Sequence, residues 1–88
     1  MIERTIWKYE LAVVDEQWIE MPHGAKPLTV AIQYDKPCMW CLVNPQNSEE
    51  PVHIITHGTG HPVPLISQYI GSYQLANGAF VGHVFTAS

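Results

Sequence analysis

Apolar and polar residues alternate along most of this chain, and helical periodicity is nearly absent. In the segment TIWKYELAV, Trp7, Tyr9 and Leu11 fall on one side of an extended backbone, and Lys8 and Glu10 fall on the other. Comparable runs follow at 17–21, 28–34, 38–43, 52–57, 66–75 and 79–85. The pattern predicts an all-β fold, with residues 1–88 forming a single small sandwich or barrel of about seven short antiparallel strands.

Local sequence adds detail to three of these runs. Residues 38–43, CMWCLV, are apolar on both faces, which is typical of a central or interface strand. Gly71 interrupts the run at 66–75 and indicates a β-bulge. Asn77 and Gly78 form a strong hairpin signal before the last strand. A short helix within 62–70 is compatible with the sequence, but Pro62 and Pro64 argue against a long one.

Basic residues are few and scattered. The chain has four Lys and Arg against eight Asp and Glu, a formal net charge of −4, and 14% charged residues. Binding of a DNA or RNA backbone is therefore disfavoured, because that affinity comes from clustered Lys and Arg. A soluble domain usually carries about 25% charged residues. The low value predicts an apolar surface patch, and hence a homo-oligomer or another protein partner.

No apolar run is long enough to span a membrane, and the start of the chain does not read as a leader. We therefore expect no contact with a membrane and a place in the cytoplasm. The two cysteines, Cys38 and Cys41, fit a reducing compartment.

The segment THGTGHP, residues 56–62, is the first candidate site. Its glycines allow positive φ, so that successive backbone N–H groups can point at one oxyanion, and its threonine and histidines add further donors. This anion-binding interpretation uses His57, Gly58, Thr59, Gly60 and His61. Two other interpretations stay open. One is a tight glycine turn capped by the threonine, and the other is a metal held by the two histidines, with His53 on the same strand face.

The remaining chemistry-bearing residues favour structural roles. In a strand, Cys38 and Cys41 of the C-x-x-C would point to opposite faces, and no second ligand pair accompanies them. We therefore expect two small core residues and no bound metal. His83 fits a core or interface position. The chain shows no nucleophile elbow, no Walker loop and no paired carboxylates in a plausible cleft, so we expect neither catalysis nor a cofactor.

Trp18 differs from the other aromatic residues, whose positions fit a core. It shares a strand face with Glu16 and Glu20, so we expect it to be exposed or to contact a partner. An exposed aromatic ring of this kind can stack on a nucleobase.

Four segments together resemble a small family of uncharacterised proteins from tailed phages and prophages. They are TIWKYEL, IEMPHGAKPLTVAIQYDKPCMWCLVNP, THGTGHP and YIGSYQLANGAFVGHVF, so the resemblance covers nearly the whole chain. The parts that look like the signature of that family are the Gly-Thr-Gly at 58–60, followed by a histidine, and the GHVF at 82–85. The resemblance implies a phage origin rather than a particular activity.

A phage origin favours a role in host takeover or counter-defence. The leading hypothesis is a non-enzymatic homo-oligomer that binds and sequesters a small phosphorylated ligand, such as a nucleotide signal, in the cytoplasm of the infected bacterium. The ligand would contact the loop at 57–61, with Trp18 stacking on the base and Lys8, shared across subunits, offsetting its charge. The alternatives are a module that binds a host protein and a minor structural phage protein, each acting through an apolar surface.

Overall fold

The computed structural model describes residues 3–87 as seven β-strands and one short 3-10 turn. The strands are β1 (Thr5–Glu10), β2 (Glu16–Pro22), β3 (Lys26–Gln33), β4 (Lys36–Val43), β5 (Glu49–Gly58), β6 (Ser67–Leu75) and β7 (Phe80–Ala87), and the turn is Ala76–Gly78. Every strand pairing is antiparallel. The predicted all-β fold of seven strands is thus confirmed. The described residues form no helix that is long and apolar enough to cross a membrane.

The strands form two sheets, one of three strands in the order β1-β4-β3 and one of four in the order β2-β5-β7-β6. The apolar run at 38–43 lies in β4, the middle strand of the smaller sheet, as its two apolar faces predict. Among residues 3–87, β1 and β2 each pair with a single neighbour, so the sheets do not close into a barrel. Of the two predicted architectures, the structure has the open, two-sheet one.

Side chains from the inner faces of both sheets share one core. Its buried members are Leu11, Met21, Val30, Met39, Cys41, Val43, Ile54, Tyr73 and Val84. Directly opposite residues of an antiparallel pair share a face, so the register explains this set. Met39 and Cys41 of β4 face Tyr9 and Trp7 of β1, and Val84 of β7 faces Thr56 of β5.

The two cysteines lie on opposite faces of β4, as the alternation predicts. Both are buried and free. Burial raises the pKa of the Cys41 thiol to about 11, so this thiol stays protonated at neutral pH. Cys38 lies on the outer face, where a hydrogen bond from Lys8 Nζ to Gln33 Oε1 (2.7 Å) joins the two flanking strands.

The bulge predicted at Gly71 is present. The register between β6 and β7 shifts between Tyr69 and Gly71. A Cβ at position 71 would lie 3.1 Å from the backbone nitrogen of Val30, which is in β3 of the other sheet. A glycine here lets the two sheets approach closely along this side of the molecule.

Other element boundaries differ from the sequence prediction. β5 begins at Glu49, three residues before the run at 52–57 from which the strand was predicted. Glu49–Pro51 pair with Glu20–Pro22 of β2, and this cross-strand pairing outweighs the turn-like local composition. Residues 62–66 contain a turn but no helix, and β6 begins at Ser67. The β6–β7 connection occupies residues 76–79 rather than two residues, since Leu75 and Phe80 are the last paired positions.

Candidate functional site

The loop after β5 is a tight turn. The His61 N–H donates to the Gly58 carbonyl over 3.1 Å, and Gly60 has φ +87° at the third position, where a type II turn needs positive φ. The closing hydrogen bond does not use the amides of the two central residues, Thr59 and Gly60. The backbone therefore forms the tight glycine turn of the second interpretation. This turn leaves the amides of Thr59 and Gly60 available to a ligand.

The side chain of Thr59 contacts a residue that the sequence analysis placed elsewhere. Its Oγ1 and His83 Nε2 share a hydrogen bond of 2.8 Å. His83 lies on β7, where it pairs directly with His57 of β5. The loop is thus fixed to the neighbouring strand by a threonine that we expected to face a ligand. No local sequence signal shows this contact, because it depends on the pairing of β5 with β7.

We expect Thr59→Val to lower the free energy of unfolding by about 1 kcal/mol, since His83 loses a hydrogen-bond partner while the side-chain shape is kept. Urea denaturation of the wild type and the variant measures this difference. Thr29→Val is the matched control, because Thr29 is an exposed threonine on β3. Its expected effect is within about 0.5 kcal/mol. Equal losses in both variants would show that the Thr59–His83 bond contributes nothing to stability.

A second turn lies beside the first. Its residues Ala76, Asn77 and Gly78 all have positive φ (52°, 56° and 88°), and the Ala79 N–H donates to the Ala76 carbonyl over 3.0 Å. Between the two turns is an open cleft of about 430 Å³, which we name the two-turn cleft. It is lined by Gly58, Thr59, His61, Gly78, Ala79, Phe80 and Val81. None of these described lining residues is acidic.

A different cleft adjoins the same loop and shares His61 with the two-turn cleft. Its volume is about 400 Å³, and His57 and His61 line it together with Asp15 and Glu16. The two carboxylates disfavour a phosphorylated ligand by like-charge repulsion. The backbone amides and the charge pattern therefore both favour the two-turn cleft as the anion site.

Two buried hydroxyl groups lie behind the loop, in the core. Burial raises the pKa of Tyr73, and the neighbouring Thr56 hydroxyl offsets part of that rise without a hydrogen bond of good geometry. Tyr73 is therefore a neutral phenol at physiological pH. Both side chains lie against Gly82, and this contact fixes how close β5, β6 and β7 come to one another.

Trp18 is exposed, as expected, with 59% of its surface accessible. Its ring stacks on His53 with a centroid separation of 4.2 Å and an interplanar angle of 4°. His53 Nε2 in turn donates to the Glu16 carboxylate over 2.9 Å. This group lies on the outer face of the four-stranded sheet, and none of its members lines the two-turn cleft.

Lys8 lies on the outer face of the three-stranded sheet, where its Nζ donates a hydrogen bond to Gln33 Oε1. Of the seven predicted binding residues, Gly58, Thr59 and His61 line the two-turn cleft. His57 lines the acidic cleft instead, and Gly60 lies in the turn between Thr59 and His61. Trp18 and Lys8 of the same chain line neither cleft. The residue that sequence analysis missed is Phe80, which is 40% exposed beside the loop.

Three histidines, His53, His57 and His83, lie in strands of the four-stranded sheet, and His23 and His61 lie in the connections between strands. His57 makes an edge contact with Phe85, with ring centroids 5.4 Å apart, and His53 contacts Trp18 and Glu16. Within residues 3–87, no group of three or more His, Cys, Asp or Glu side chains is placed to hold a metal ion. The metal interpretation of the loop gains no support from this geometry.

A model of a protein family matches nearly the whole chain. The model of a domain of unknown function, DUF7352, matches residues 2–88. The chain belongs to the DUF7352 family. Searches of the curated proteins and of the solved structures gave no match. The family model assigns no ligand and no activity to its members, so the chemistry of the site is the basis for the function proposed below.

Proposed function

We propose that this DUF7352 protein is a non-enzymatic binding protein that holds a small phosphorylated ligand, of nucleotide type, in the two-turn cleft. The observation that carries the proposal is a cleft of about 430 Å³ between two turns with left-handed backbone, with no acidic residue among its described lining. Ligand clefts for small molecules usually measure about 300–1,000 Å³. The volume therefore suits a mononucleotide or a comparable signal.

Backbone amides and one histidine would hold the phosphate. Neighbouring residues of opposite backbone hand form concave backbone whose N–H groups can converge on an anion, and Gly78 (φ +88°) and Ala79 (φ −66°) have this arrangement. The amides of Thr59 and Gly60 lie outside the closing bond of the first turn. His61 lines the cleft and adds a ring N–H. This arrangement needs no lysine or arginine in the cleft.

Phe80 would stack on the base. It lines the cleft at the start of β7, and its ring lies 6.0 Å from that of Tyr73, tilted by 47°. An aromatic ring beside an anion site suits a ligand that has both a phosphate and a planar base. In this proposal Phe80 takes the role that the sequence analysis gave to Trp18.

A homo-oligomer is part of the proposal. Large hydrophobic side chains are exposed on the three-stranded sheet, among them Ile6, Trp7 and Leu28. Exposed apolar side chains of this kind fit a protein whose surface is partly covered by other copies. A neighbouring subunit would also bring its own Lys8 near the ligand, which one chain by itself does not do. The assembly would sequester a nucleotide signal in an infected bacterium, as the phage resemblance suggests.

Gly60→Val tests this proposal. Gly60 has φ +87°, and a Cβ there would meet no atom within 4 Å, so the variant strains the turn without touching the core. Left-handed backbone costs an L-residue about 1–2 kcal/mol, so the fold should survive. We expect native mass spectrometry with a panel of mononucleotides, cyclic dinucleotides, cyclic trinucleotides and NAD-derived signals to show an uncleaved nucleotide on the wild type. Gly60→Val should not retain it.

Gly24→Val is the matched control for this experiment. Gly24 lies in the β2–β3 turn with φ +81°, and again no atom lies within 4 Å of its Cβ position. The two variants therefore carry the same kind of strain, and only one of them changes the cleft. Retention of the nucleotide by both variants would remove the loop from the site. A wild type that binds no member of the panel would contradict the proposed ligand class.

A second candidate function is binding of a host protein, and the exposed outer face of the four-stranded sheet favours it. Trp18 is 59% exposed on the edge strand β2 of that face. Large exposed aromatic side chains are typical of interaction sites. A minor structural role in the phage particle would use the same surface, and mass spectrometry of purified particles would detect it.

A further inference from the structure

Charged residues are divided unequally between the two sheets. The basic residues all lie in or beside the three-stranded sheet: Arg4 precedes β1, and Lys8, Lys26 and Lys36 lie in β1, β3 and β4. The strands of the four-stranded sheet contain no Lys or Arg and four glutamates, Glu16, Glu20, Glu49 and Glu50. This sheet is therefore complementary in charge to a cationic partner.

β2 is an open edge of that acidic sheet. Among the described residues it pairs with β5 alone, while β6, at the other edge, lies against β3. An edge strand presents unpaired N–H and C=O groups, which can bind an extended segment as an additional strand. β2 has seven residues, enough for several such hydrogen bonds.

Trp18 lies in the middle of this edge strand. Its ring is parallel to that of His53, which belongs to the neighbouring strand β5. One face of the indole is therefore covered by His53, and the other is turned toward the open edge. A residue of an added strand in the same row would lie against that free face. Guanidinium groups stack well on tryptophan.

Two carboxylates flank the same position. Glu16 and Glu20 lie two residues before and after Trp18, and side chains two apart in a strand share a face. Glu16 accepts a hydrogen bond from His53, and Glu20 takes part in none of the ion pairs among residues 3–87. Long side chains reach diagonal neighbours across a strand pair, so both carboxylates are within range of an arginine stacked on Trp18.

We propose that the β2 edge binds an arginine-bearing extended segment of a partner protein, as a fifth strand whose arginine lies on Trp18 between Glu16 and Glu20. A second copy of this chain is a poorer occupant, because it would bring the same acidic strand and a further formal charge of −4. This site is separate from the two-turn cleft, and it does not depend on the ligand proposed there.

Isothermal titration with three peptides of about eight residues, a usual strand length, tests the proposal. The first peptide alternates arginine and valine. The second alternates arginine and proline, so it has the same charge but lacks half of the strand N–H groups. The third alternates glutamate and valine. We expect the wild type to bind the arginine–valine peptide, to bind the arginine–proline peptide at least roughly tenfold more weakly, and not to bind the glutamate–valine peptide.

The variants locate the binding. Trp18→Ala, and separately Glu16→Gln combined with Glu20→Gln, should each weaken binding of the arginine–valine peptide by roughly tenfold or more. Tyr69→Ala is the matched control, because Tyr69 is equally exposed on the opposite edge strand of the same sheet, and it should bind as the wild type does. Hydrogen exchange should show new protection of the β2 amides in the complex.

Three results would overturn the proposal. The first is that the wild type does not bind the arginine–valine peptide, and the second is that it binds the arginine–proline peptide equally well. The third is that Trp18→Ala binds the arginine–valine peptide as tightly as Tyr69→Ala does. In each of these cases, the remaining role of Glu16 and Glu20 would be to prevent the β2 edges of two copies of the chain from pairing. Concentration-dependent protection of β2 amides without peptide would assign the edge to a second copy instead.

Discussion

Replacing Gly82 with valine is expected to lower the free energy of unfolding by about 3 kcal/mol, the upper part of the usual range for overpacking. A Cβ at this position would lie 2.8 Å from Tyr73 Cζ and 2.9 Å from Thr56 Cγ2. Both neighbours are buried side chains on the two adjacent strands, so neither can move into solvent. The strands would have to separate, and the core beneath the loop would open.

Urea denaturation of Gly82→Val measures this loss, and Gly58→Val is its matched control. Gly58 pairs directly with Gly82, but a Cβ at position 58 would meet the ring of His61 at 3.2 Å, and that exposed side chain can turn away. We expect a loss of about 1 kcal/mol there. Adding Thr56→Ser to Gly82→Val removes the close contact with the Thr56 methyl group, and it should recover part of the stability. Equal losses for Gly58→Val and Gly82→Val would contradict this account of the packing.

Ile54→Ala is expected to cost about 4 kcal/mol, the middle to upper part of the range for large-to-small changes in a core. Ile54 is fully buried in β5, between the inner faces of the two sheets. The cavity would lie where both sheets meet, so neighbouring side chains cannot fill it without separating strands. A small domain has a stability of about 5–15 kcal/mol, so the variant would be close to unfolding.

Thermal and urea unfolding measure the stability of Ile54→Ala and of its control, Ile6→Ala, in which an exposed isoleucine is replaced. Ile6 lies on the outer face of β1 and is 56% exposed. Its replacement should change stability by no more than about 0.5 kcal/mol. A small loss for Ile54→Ala, or a large one for Ile6→Ala, would mean that the core does not lie between the sheets as described.

Much of the fold could be predicted from the sequence, because it depends on local patterns. Alternation marks the strands, since the side chains of a strand alternate between its two faces. The double-sided apolar run at 38–43 marks the central strand β4, and Gly71 marks the bulge. Cys38 and Cys41 lie on opposite faces of β4 for the same reason, because they are three positions apart in one strand. These features need no knowledge of which strands are neighbours.

The candidate site was harder to predict, because it depends on strand order. His83 reaches Thr59 only because β7 pairs with β5, and Phe80 reaches the loop for the same reason. Lys8 lies on the other sheet, a fact that its distance along the chain from the loop does not reveal. Trp18 was correctly predicted to be exposed. Its partner His53 depends on the non-local pairing of β2 with β5.

The central claim is that the two-turn cleft binds a phosphorylated ligand, and an NMR titration of the ¹⁵N-labelled protein with inorganic pyrophosphate tests it most directly. We expect saturable shifts of the backbone amide signals of Thr59, Gly60 and Gly78, and a smaller shift at Phe80. We expect no shift at Trp18 or Lys8, which lie elsewhere. Amide signals at the two turns that do not move at millimolar pyrophosphate, or shifts confined to other parts of the two sheets, would contradict this claim.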